Sequence, residues 1–387
     1  MRHADPAYRP RATRNVLLSE MSAVTPFAER VVQWQKVHGR SHLPWQNTRD
    51  PYRIWLSEIM LQQTQVGTVL SYYERFLKTL PTVRDLASAE HATVMSLWAG
   101  LGYYSRARNL HACAKQVCER FGGTFPVAVA LLESLPGIGR STAGAIAAFA
   151  ADVQAPILDG NVKRLFARHF AVAGDVNATS VQRELWGLAE QQLPVSDIVA
   201  YTQGLMDLGA TICVRRRPHC LLCPVQHSCQ AWRQGRVDEL PAPRARLQRP
   251  TEYWRADLLF SLDGRIWLEP RPMQGIWGGL WVCPMQQAAS LAALTEIGND
   301  ALPGTPAGPV LTHDLTHKRL LIKPYRRVWH KSCEPPGSTG RWFDWPLRAD
   351  APVPRPLQVW AQGAVGSPSE AVCSKAASDC RGQSGGQ

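Results

Sequence analysis

The sequence predicts two unlike domains, an all-α domain followed by an α+β domain, and three observations lead to this division. Apolar residues recur at helical spacing over about residues 25–150, and strand-like alternation begins only near residue 250. A basic, proline-containing stretch over residues 230–250 predicts an interdomain linker. Beyond it, β-prone runs flank Asp263-Gly264, and eight of the fourteen tryptophans follow residue 250, which is typical of a sheet with an aromatic core.

Composition narrows the class of protein. The chain has 387 residues, 45% of them apolar, which excludes wholesale disorder and suffices for two or three domains. No apolar run approaches the ~20 residues of a membrane span. The 43 Lys and Arg residues exceed the 31 Asp and Glu residues, giving a formal charge of +12 that favours a polyanionic partner. Residues 1–20 carry four arginines without an apolar core, so we expect a flexible extension rather than a secretory signal, and a cytoplasmic protein.

Successive helices are predicted along the first domain, and the clearest one spans Pro51 to Val66. Asp50 can cap its N-terminus, and Pro51 occupies the first helical position, where its missing N–H costs nothing. One face of this helix carries Glu58, Leu61, Gln62 and Gln65, a polar stripe that by itself is typical of a solvated face. Further helices are predicted at Val69–Leu80, Val83–Ala87, Ala92–Ala99, Ser105–Phe121 and Val127–Leu135.

A tight hairpin is predicted where the sequence reads Leu-Pro-Gly-Ile-Gly-Arg-Ser-Thr-Ala over residues 135–143. Gly137 and Gly139 are spaced by one residue, and a helix is expected from about Ser141. Backbone N–H groups at such a hairpin and helix start can hold a phosphate without reading base sequence. The alternative is an ordinary turn between two helices that ends in a glycine cap.

A lone carboxylate, Asp159, lies eighteen residues after Ser141, just before another predicted helix. Capping of that helix would be its ordinary role. Its place after a helix and a turn also predicts that it faces the region of the hairpin.

Four of the ten cysteines cluster with the spacing C-x6-C-x2-C-x5-C, and four thiolates this close can surround one metal centre. Zinc and a [4Fe–4S] cluster both accept four thiolates, and spacing alone does not separate them. Three cations, Arg215, Arg216 and Arg217, lie between the first two cysteines and suit contact with phosphates. The four cysteines are Cys213, Cys220, Cys223 and Cys229.

Strands are predicted in the second domain at Tyr253–Leu262, Ile266–Pro270 and Leu320–Trp329, the first two joined through Asp263-Gly264. The segment from Gly363 to Gln387 is rich in small residues and is expected to be a disordered tail.

Taken together, several blocks resemble the helix–hairpin–helix DNA glycosylases that carry an iron–sulfur cluster, and among them the MutY-type adenine DNA glycosylases. The resemblance implies a monomeric base-excision repair enzyme that flips adenine out of A·8-oxoguanine and A·G mispairs and hydrolyses its glycosidic bond, with a nucleoid-associated location. It also favours a [4Fe–4S] cluster over zinc at the four cysteines. The blocks that carry it are Trp55–Gln65, Gly100–Tyr104, Leu135–Ala143, Leu158–Val162 and the four-cysteine loop.

The resemblance assigns a role to each of two carboxylates. Glu58 matches the acid that protonates adenine at N7, which makes the base a better leaving group. Asp159 matches the carboxylate that stabilises the oxocarbenium ion left on the sugar, and a helix N-terminus should keep it ionised. Asn161 matches an active-site amide, with helix capping as the alternative role.

Further residues match contacts to DNA. Gln62, Gln63 and Tyr103 correspond to side chains that wedge into the duplex, and Trp45 and Leu61 to the adenine pocket. Gly137, Gly139 and Ser141 correspond to the phosphate-binding hairpin. Relatives of the endonuclease III type carry a lysine at the position of Ser141 and use it to cleave the strand. We therefore expect a monofunctional glycosylase.

The second domain resembles the Nudix-like domain that reads 8-oxoguanine in this family, through residues 269–281. Thr316 and His317 match lesion-contacting residues, whereas Leu315 replaces the usual aromatic. A Nudix hydrolase needs a Glu-rich helix to bind magnesium, and Gln286–Asn299 offers only Glu296, so hydrolysis is not expected.

Six segments are thus expected in chain order: a flexible extension over 1–20, an all-α helix–hairpin–helix glycosylase domain over 21–212, a cluster loop over 213–229, a basic linker over 230–250, an α+β Nudix-like domain over 251–362 and a tail over 363–387. Two rival functions stay open, a glycosylase for another base and a lesion sensor without catalysis. Ser141 and the second domain speak against the first rival, and the presence of both carboxylates against the second.

Overall fold

A computed structural model describes residues 26–242, 249–296, 305–329, 339–348 and 351–364. The predicted extension over residues 1–20 and nearly all of the predicted tail lie outside them. The chain divides into two compact units, of which unit 1 comprises residues 1–41 and 152–243 and unit 2 comprises residues 42–151 and 244–387. The predicted all-α region therefore contributes to both units.

The described residues confirm the predicted class, a helical region followed by an α+β region. In chain order, the helices are α1 (Pro26–His38), α2 (Pro51–Leu61), α3 (Val66–Thr79), α4 (Val83–Ser88), α5 (His91–Trp98), α6 (Ser105–Phe121), α7 (Val129–Glu133), α8 (Arg140–Ala151), α9 (Gly160–His169), α10 (Thr179–Gln191), α11 (Ile198–Asp207), α12 (Gln230–Arg233), α13 (Leu291–Glu296) and α14 (Arg355–Val359).

The predicted helix over residues 51–66 is two helices, which corrects the sequence-based expectation. Helix α2 ends at Leu61, and α3 begins at Val66. Between them Gln63 has a φ of 58°, a left-handed conformation that an α-helix cannot contain. The prediction for Ser105–Phe121 is confirmed at both ends.

In unit 1, α1 packs along α11, and an ion pair joins the loop after α1 to the end of α11. Asp207 is buried, and its Oδ1 lies 2.6 Å from Nη2 of Arg40, while its Oδ2 accepts a bond of 2.8 Å from the Arg40 backbone N–H. Gln203 donates to Oδ1 as well, at 2.8 Å. These donors offset the cost of removing the carboxylate from water.

The first residues of the predicted linker belong to unit 1. Residues 230–233 form α12, and Ala231 and Leu240 are buried. Arg168 on α9 donates to the carbonyl oxygens of Val237 and Leu240 at 3.1 and 2.7 Å. Residues 230–242 are therefore folded against α9 rather than extended as a spacer, whereas residues 243–248 lie outside the described part.

Unit 2 contains the sheet, whose strands within the described residues are β1 (Thr251–Phe260), β2 (Ile266–Pro270), β3 (Trp281–Val282), β4 (Met285–Ala288), β5 (Thr305–Pro306), β6 (Leu311–Asp314), β7 (Arg319–Val328) and β8 (Arg341–Phe343). The strand order is β3-β2-β1-β7-β5, and β4, β6 and β8 pair with β1, β7 and β2 respectively. The long strands β1 and β7 are parallel, from Thr251 opposite Arg319 to Phe260 opposite Val328.

The predicted hairpin at Asp263-Gly264 is confirmed. Phe260 pairs with Ile266, the Ser261 N–H donates to the Arg265 carbonyl at 2.8 Å, and Gly264 has a φ of 84°. Glycine at this position costs no steric strain, which is why the Asp-Gly pair predicted the turn.

The core of the α+β region is apolar, with one buried charged group on the other side of β1. Leu258, Phe260 and Leu268 are wholly buried and pack with α14. Arg255 and Arg327 both approach Oδ1 of Asp257, with their Nε atoms at 2.8 and 3.2 Å. Among the described residues, no helix is both long and apolar enough to cross a membrane.

Candidate active site and cysteine loop

Helix α2 holds Glu58 on a half-buried face. The Asp50 side chain caps the helix by accepting from the Tyr52 N–H at 2.9 Å, and Pro51 follows, as predicted. Trp55, Leu56 and Met60 on α2 are fully buried and anchor it in unit 2. The helix is thereby fixed along its length, and Glu58 is positioned by a rigid element.

The turn after α2 carries the predicted wedge residues Gln62 and Gln63. Gln62 is half-buried, and its Nε2 lies 3.4 Å from Oγ1 of Thr142 on α8. Gln63 is exposed and left-handed. Leu61, predicted for the adenine pocket, is half-buried at the end of α2.

The loop between α5 and α6 carries Tyr103, whose side chain is 49% exposed. Its φ is 48°, so it is left-handed like Gln63. The indole of Trp98 donates to the Gly102 carbonyl at 3.0 Å, and the Gly100 N–H donates to the Tyr104 hydroxyl at 3.2 Å. Hydrogen bonds within the loop thus fix its conformation, and the Tyr103 ring lies on the surface.

One arginine that sequence reasoning missed contacts both of these segments. Arg106 on α6 is 9% exposed, and burial lowers its pKa to about 10. An arginine in the first turn of a helix is normally expected at the surface. The one indication of burial in the sequence is that Arg106 lies beside the apolar stripe of α6, which starts at Ala107.

Trp45, the other predicted pocket residue, is buried in unit 2. Its ring packs edge-on against Tyr73 at a centroid distance of 5.3 Å and is 8% exposed. Only a small part of the indole is therefore available to line a pocket.

The glycine hairpin has the predicted form. Gly137 has a φ of 78°, Leu135 and Ile138 are buried, and the Ile138 N–H donates to the Leu135 carbonyl at 3.2 Å. Helix α8 begins at Arg140, one residue before the predicted Ser141. Gly139 is exposed and Ser141 half-buried, so the N-terminus of α8 is open to an anion.

Asp159 lies in unit 1 as the N-cap of α9. Its Oδ1 accepts from the N–H groups of Asn161 and Val162 at 3.0 and 2.8 Å. Burial raises the pKa of Asp159 above its usual range, although these two bonds and the nearby Arg164 act to lower it. Loss of water therefore outweighs the donors in setting the direction of this shift, and the ionised state that the resemblance implies stays a prediction.

Asn161 is held in place by Arg164 and by a close glycine. Its Oδ1 accepts from Nη2 of Arg164 at 2.8 Å, and the same nitrogen donates to the Gly209 carbonyl at 2.6 Å. A Cβ at Gly209 would lie 2.6 Å from the Asn161 Cβ. Neither Arg164 nor Gly209 was singled out from the sequence.

The four clustered cysteines line one cavity in unit 1, whose walls also include Leu165, Ile212, Val225 and Trp232. Burial raises the pKa of the Cys223 thiol to about 12, and it also raises those of Cys220 and Cys229. Nη1 of Arg168 lies 3.4 Å from Sγ of Cys213. Four soft donors in a largely apolar cavity fit the coordination of an iron–sulfur cluster. Among the described residues, no group of three or more His, Cys, Asp or Glu side chains is arranged to hold a single metal ion.

The three arginines of the cysteine loop are exposed, and their contact with phosphates stays a prediction. The segment is hydrogen-bonded to α9, because Arg168 on that helix donates to the carbonyl oxygens of Val214 and Arg215 at 2.8 and 3.1 Å. Arg215, Arg216 and Arg217 are therefore presented on a fixed loop.

Thr316 and His317 form the exposed tip of the hairpin between β6 and β7. The Leu315 N–H donates to the Lys318 carbonyl at 2.9 Å, and Leu315 packs on the domain core. The side chain that replaces the usual aromatic thus points inward, while its two neighbours are exposed.

Unit 2 contains Glu58, the wedge residues and the hairpin, and unit 1 contains Asp159, Asn161 and the cysteines. Each of these two sets of residues therefore lies within a single unit. The approach of the two carboxylates to each other stays a prediction.

Known proteins match both regions. Residues 56–191 match the HhH-GPD superfamily base excision DNA repair proteins, and residues 257–361 match the NUDIX domain. The adenine DNA glycosylase of Buchnera aphidicola subsp. Baizongia pistaciae is 35% identical over 306 residues, which are 78% of this chain and 85% of that protein. The adenine DNA glycosylase of Mus musculus is 34% identical over 403 residues, 87% of this chain and 77% of the mouse protein.

A solved thermostable thymine-DNA glycosylase is similar in fold, with 29% identity and a TM-score of 0.50 over 54% of this chain and 95% of that one. The predicted classes of both regions are confirmed by these matches. Since relatives of one activity match most of its length, the chain belongs to the adenine DNA glycosylase family and is an adenine-specific DNA N-glycosylase.

Proposed function

We propose that the enzyme removes adenine opposite 8-oxoguanine or guanine by hydrolysis and leaves the DNA strand intact. The observation that carries the proposal is the Asp159 carboxylate, fixed through one oxygen by two backbone donors at the start of α9. A carboxylate held in this way can face a developing cation without a change of position.

Glu58 is the general acid. Adenine leaves poorly as an anion, and protonation at N7 by Glu58 converts it to a neutral leaving group. The same carboxylate, once ionised, accepts a proton from the attacking water. Its place on the rigid helix α2 supports this role, because proton transfer requires a fixed distance to the base.

Asp159 stabilises the oxocarbenium ion. We assign its Oδ2 to the sugar cation, because Oδ1 is engaged with the N–H groups of Asn161 and Val162. Asn161, held by Arg164, is assigned to orient the substrate or water beside it. A carboxylate in a site that excludes water stabilises a nearby cation more strongly than a carboxylate in bulk solvent does.

The adenine must leave the duplex before it can react, which costs a few kcal/mol. Gln62, Gln63 and Tyr103 are assigned to fill the space beside the mispair, and Trp45 and Leu61 to the adenine pocket. The exposed position of Tyr103 and Gln63 supports the wedge. The buried position of Trp45 limits its contribution to the small part of its surface that is exposed.

Contacts to the DNA backbone are assigned to two elements. Gly137, Gly139 and Ser141 at the start of α8 bind a phosphate through backbone N–H groups. Arg215, Arg216 and Arg217 contact further phosphates, and their exposure on an anchored loop supports this assignment.

Ser141 also supports hydrolysis without strand cleavage. A hydroxyl at this position cannot form the Schiff base through which an amine cleaves the strand. We therefore assign a monofunctional reaction that ends at an abasic site.

The four cysteines are assigned to a [4Fe–4S] cluster. Bound there, the cluster would hold residues 213–229 in shape, and the hydrolysis would need no electron from it. Cys213, Cys220, Cys223 and Cys229 would each supply one thiolate, and their shared cavity supports the assignment.

Thr316 and His317 are assigned to contact the base opposite adenine. Their exposure at a hairpin tip supports the role, and the inward Leu315 means that the contact is made without an aromatic ring. We further propose that the enzyme acts as a monomer and is associated with the nucleoid.

A single-turnover assay on duplexes with A·8-oxoguanine, A·G and T·G pairs tests the substrate. We expect adenine release from the first two and no thymine release, with strand breaks only after alkali. Thymine release would favour the activity of the solved thymine-DNA glycosylase. Strand breaks that form as fast as the abasic site, without alkali, would contradict the monofunctional assignment.

The metal content is tested separately. Purified protein should be brown, absorb near ~400 nm and contain iron and sulfide. A colourless protein that contains one zinc ion would contradict the cluster assignment.

A further inference from the structure

The end of α2 and the loop before α6 are joined by one side chain. Arg106 donates through Nη1 to the carbonyl oxygens of Ile59 and Met60, both at 2.9 Å, and of Gln62 at 2.6 Å. These carbonyls lie in the last turn of α2 and just beyond it, where a helix leaves acceptors unpaired and attracts a cation.

The other terminal nitrogen of Arg106 reaches two segments. Nη2 donates to Oγ1 of Thr64 at 3.1 Å, and to the carbonyl oxygens of Leu101 and Gly102 at 3.4 and 3.3 Å. The guanidinium therefore bridges the turn after α2 and the loop before α6 with both ends of its fork.

The residues on which this bridge acts are Gln63 and Tyr103. Both have a left-handed backbone conformation, which residues other than glycine rarely adopt unless their surroundings impose it. Acceptors for Arg106 flank Gln63 on both sides, at Gln62 and Thr64.

Tyr103 is fixed by Arg106 in three ways. The Arg106 backbone N–H donates to the Tyr103 carbonyl at 2.8 Å. The guanidinium carbon lies 5.4 Å from the Tyr103 ring centroid, within the range of a cation–π contact. The preceding carbonyl, that of Gly102, accepts from the side chain.

We propose that Arg106 is the positioning residue of the DNA wedge: it holds Gln62, Gln63 and Tyr103 in one fixed arrangement, so that they enter the duplex together when adenine is extruded. The proposal rests on the proposed function, which assigns these three side chains to the wedge. Arg106 itself is buried, so we assign it a role that acts through these three side chains.

A lysine cannot replace the arginine in this position. Its single ammonium group could satisfy the end of α2 or the loop before α6, whereas the planar fork reaches both. Arg106→Lys keeps the charge, and it should loosen the wedge without removing any wedge side chain.

The test follows extrusion separately from chemistry, with the full-length holoenzyme. A 2-aminopurine beside the target adenine reports unstacking by stopped-flow fluorescence, and quenched-flow measures adenine release from the same A·8-oxoguanine duplex. For Arg106→Lys, we expect the fluorescence rise and adenine release to slow together by about 10- to 100-fold. Arg120→Lys, on the exposed end of α6, is the matched control and should behave as the wild type.

A fluorescence rise at the wild-type rate in Arg106→Lys would overturn the proposal, whatever happens to adenine release. Thermal unfolding shows whether the variant folds. If it does not, Thr64→Val removes one acceptor of the fork and leaves the arginine in place. A slower fluorescence rise in Thr64→Val supports the proposal, and an unchanged rise contradicts it.

The double variant Gln63→Ala with Tyr103→Ala separates this proposal from the one it rests on. It should slow the fluorescence rise at least as much as Arg106→Lys. If it leaves the rise unchanged while the wild type releases adenine, the wedge assignment fails and this proposal fails with it, although the glycosylase activity stands.

Discussion

At the scale of single residues, the buried environment of Asp159 favours the neutral carboxyl, whereas the proposed reaction uses the charged one. The proposed reaction needs its carboxylate ionised, whereas burial raises its pKa in the folded chain. A carboxyl whose folded pKa exceeds its unfolded pKa destabilises the fold once it ionises. This loss of folding free energy is absent at acid pH, below the pKa of the unfolded chain, and it is complete at pH values above the pKa of the folded chain.

Asp159→Asn should therefore be inactive and more stable than the wild type at neutral pH. Asparagine caps helices about as well as aspartate, so the cap of α9 is kept. Thermal unfolding of both proteins at a series of pH values checks this, and the advantage of the variant should shrink as pH falls through the folded pKa towards the unfolded one, about 3.9. A variant that is less stable than the wild type at neutral pH would contradict the account.

Gly209 offers a second test at this scale, because a side chain there meets Asn161. Gly209→Ala places a Cβ 2.6 Å from the Asn161 Cβ, so Asn161 must shift. We expect adenine release to slow by about 10-fold or more in single-turnover assays.

Gly187→Ala is the control, since a Cβ at that position on α10 meets no atom within 4 Å. It should preserve the rate and raise stability by about 0.4–1 kcal/mol. Equal rates for Gly209→Ala and Gly187→Ala would show that Asn161 is not held by this contact.

At the scale of elements, the sequence predicted what local chemistry determines and missed what distant contacts determine. Three local features could be predicted, because the residues that form them also determine their conformation. They are the cap at Asp50, the Asp263-Gly264 turn and the glycine hairpin. The break between α2 and α3 was not, because the carbonyls at the end of α2 are bound by an arginine more than forty residues away.

Strand β1 carries an element-scale prediction about the buried ion group of Asp257. Asp257→Ala leaves Arg255 and Arg327 without their shared carboxylate, and the loss of one partner of a buried pair costs about 3–5 kcal/mol. Chemical unfolding of the full chain, followed by tryptophan fluorescence, measures the change, and eight of the fourteen tryptophans lie after residue 250.

Asp314→Ala removes a carboxylate from an exposed pair with Arg319 and serves as the control for this measurement. It should change stability little, because solvent screens the pair. If both variants unfold at the same denaturant concentration, the buried group does not stabilise the sheet.

At the scale of the whole molecule, composition and motif order were enough to predict the class. The helical region with four clustered cysteines and the α+β region both occur as expected, and relatives matched over most of the chain share one activity. Chain order did not predict the division into units, because residues 26–41 pack with α11, far along the sequence. Packing partners of this kind depend on the complete fold.

In the proposed reaction Glu58 supplies the proton that releases adenine, and replacing this carboxyl by an amide removes that proton. Single-turnover release of adenine from an A·8-oxoguanine duplex is compared for the wild type, Glu58→Gln and Glu74→Gln, the last an exposed residue on α3. With duplex binding measured in parallel, we expect Glu58→Gln to bind the duplex as the wild type does and to release no adenine, while Glu74→Gln is fully active. Adenine release by Glu58→Gln at the wild-type rate would contradict this role of Glu58.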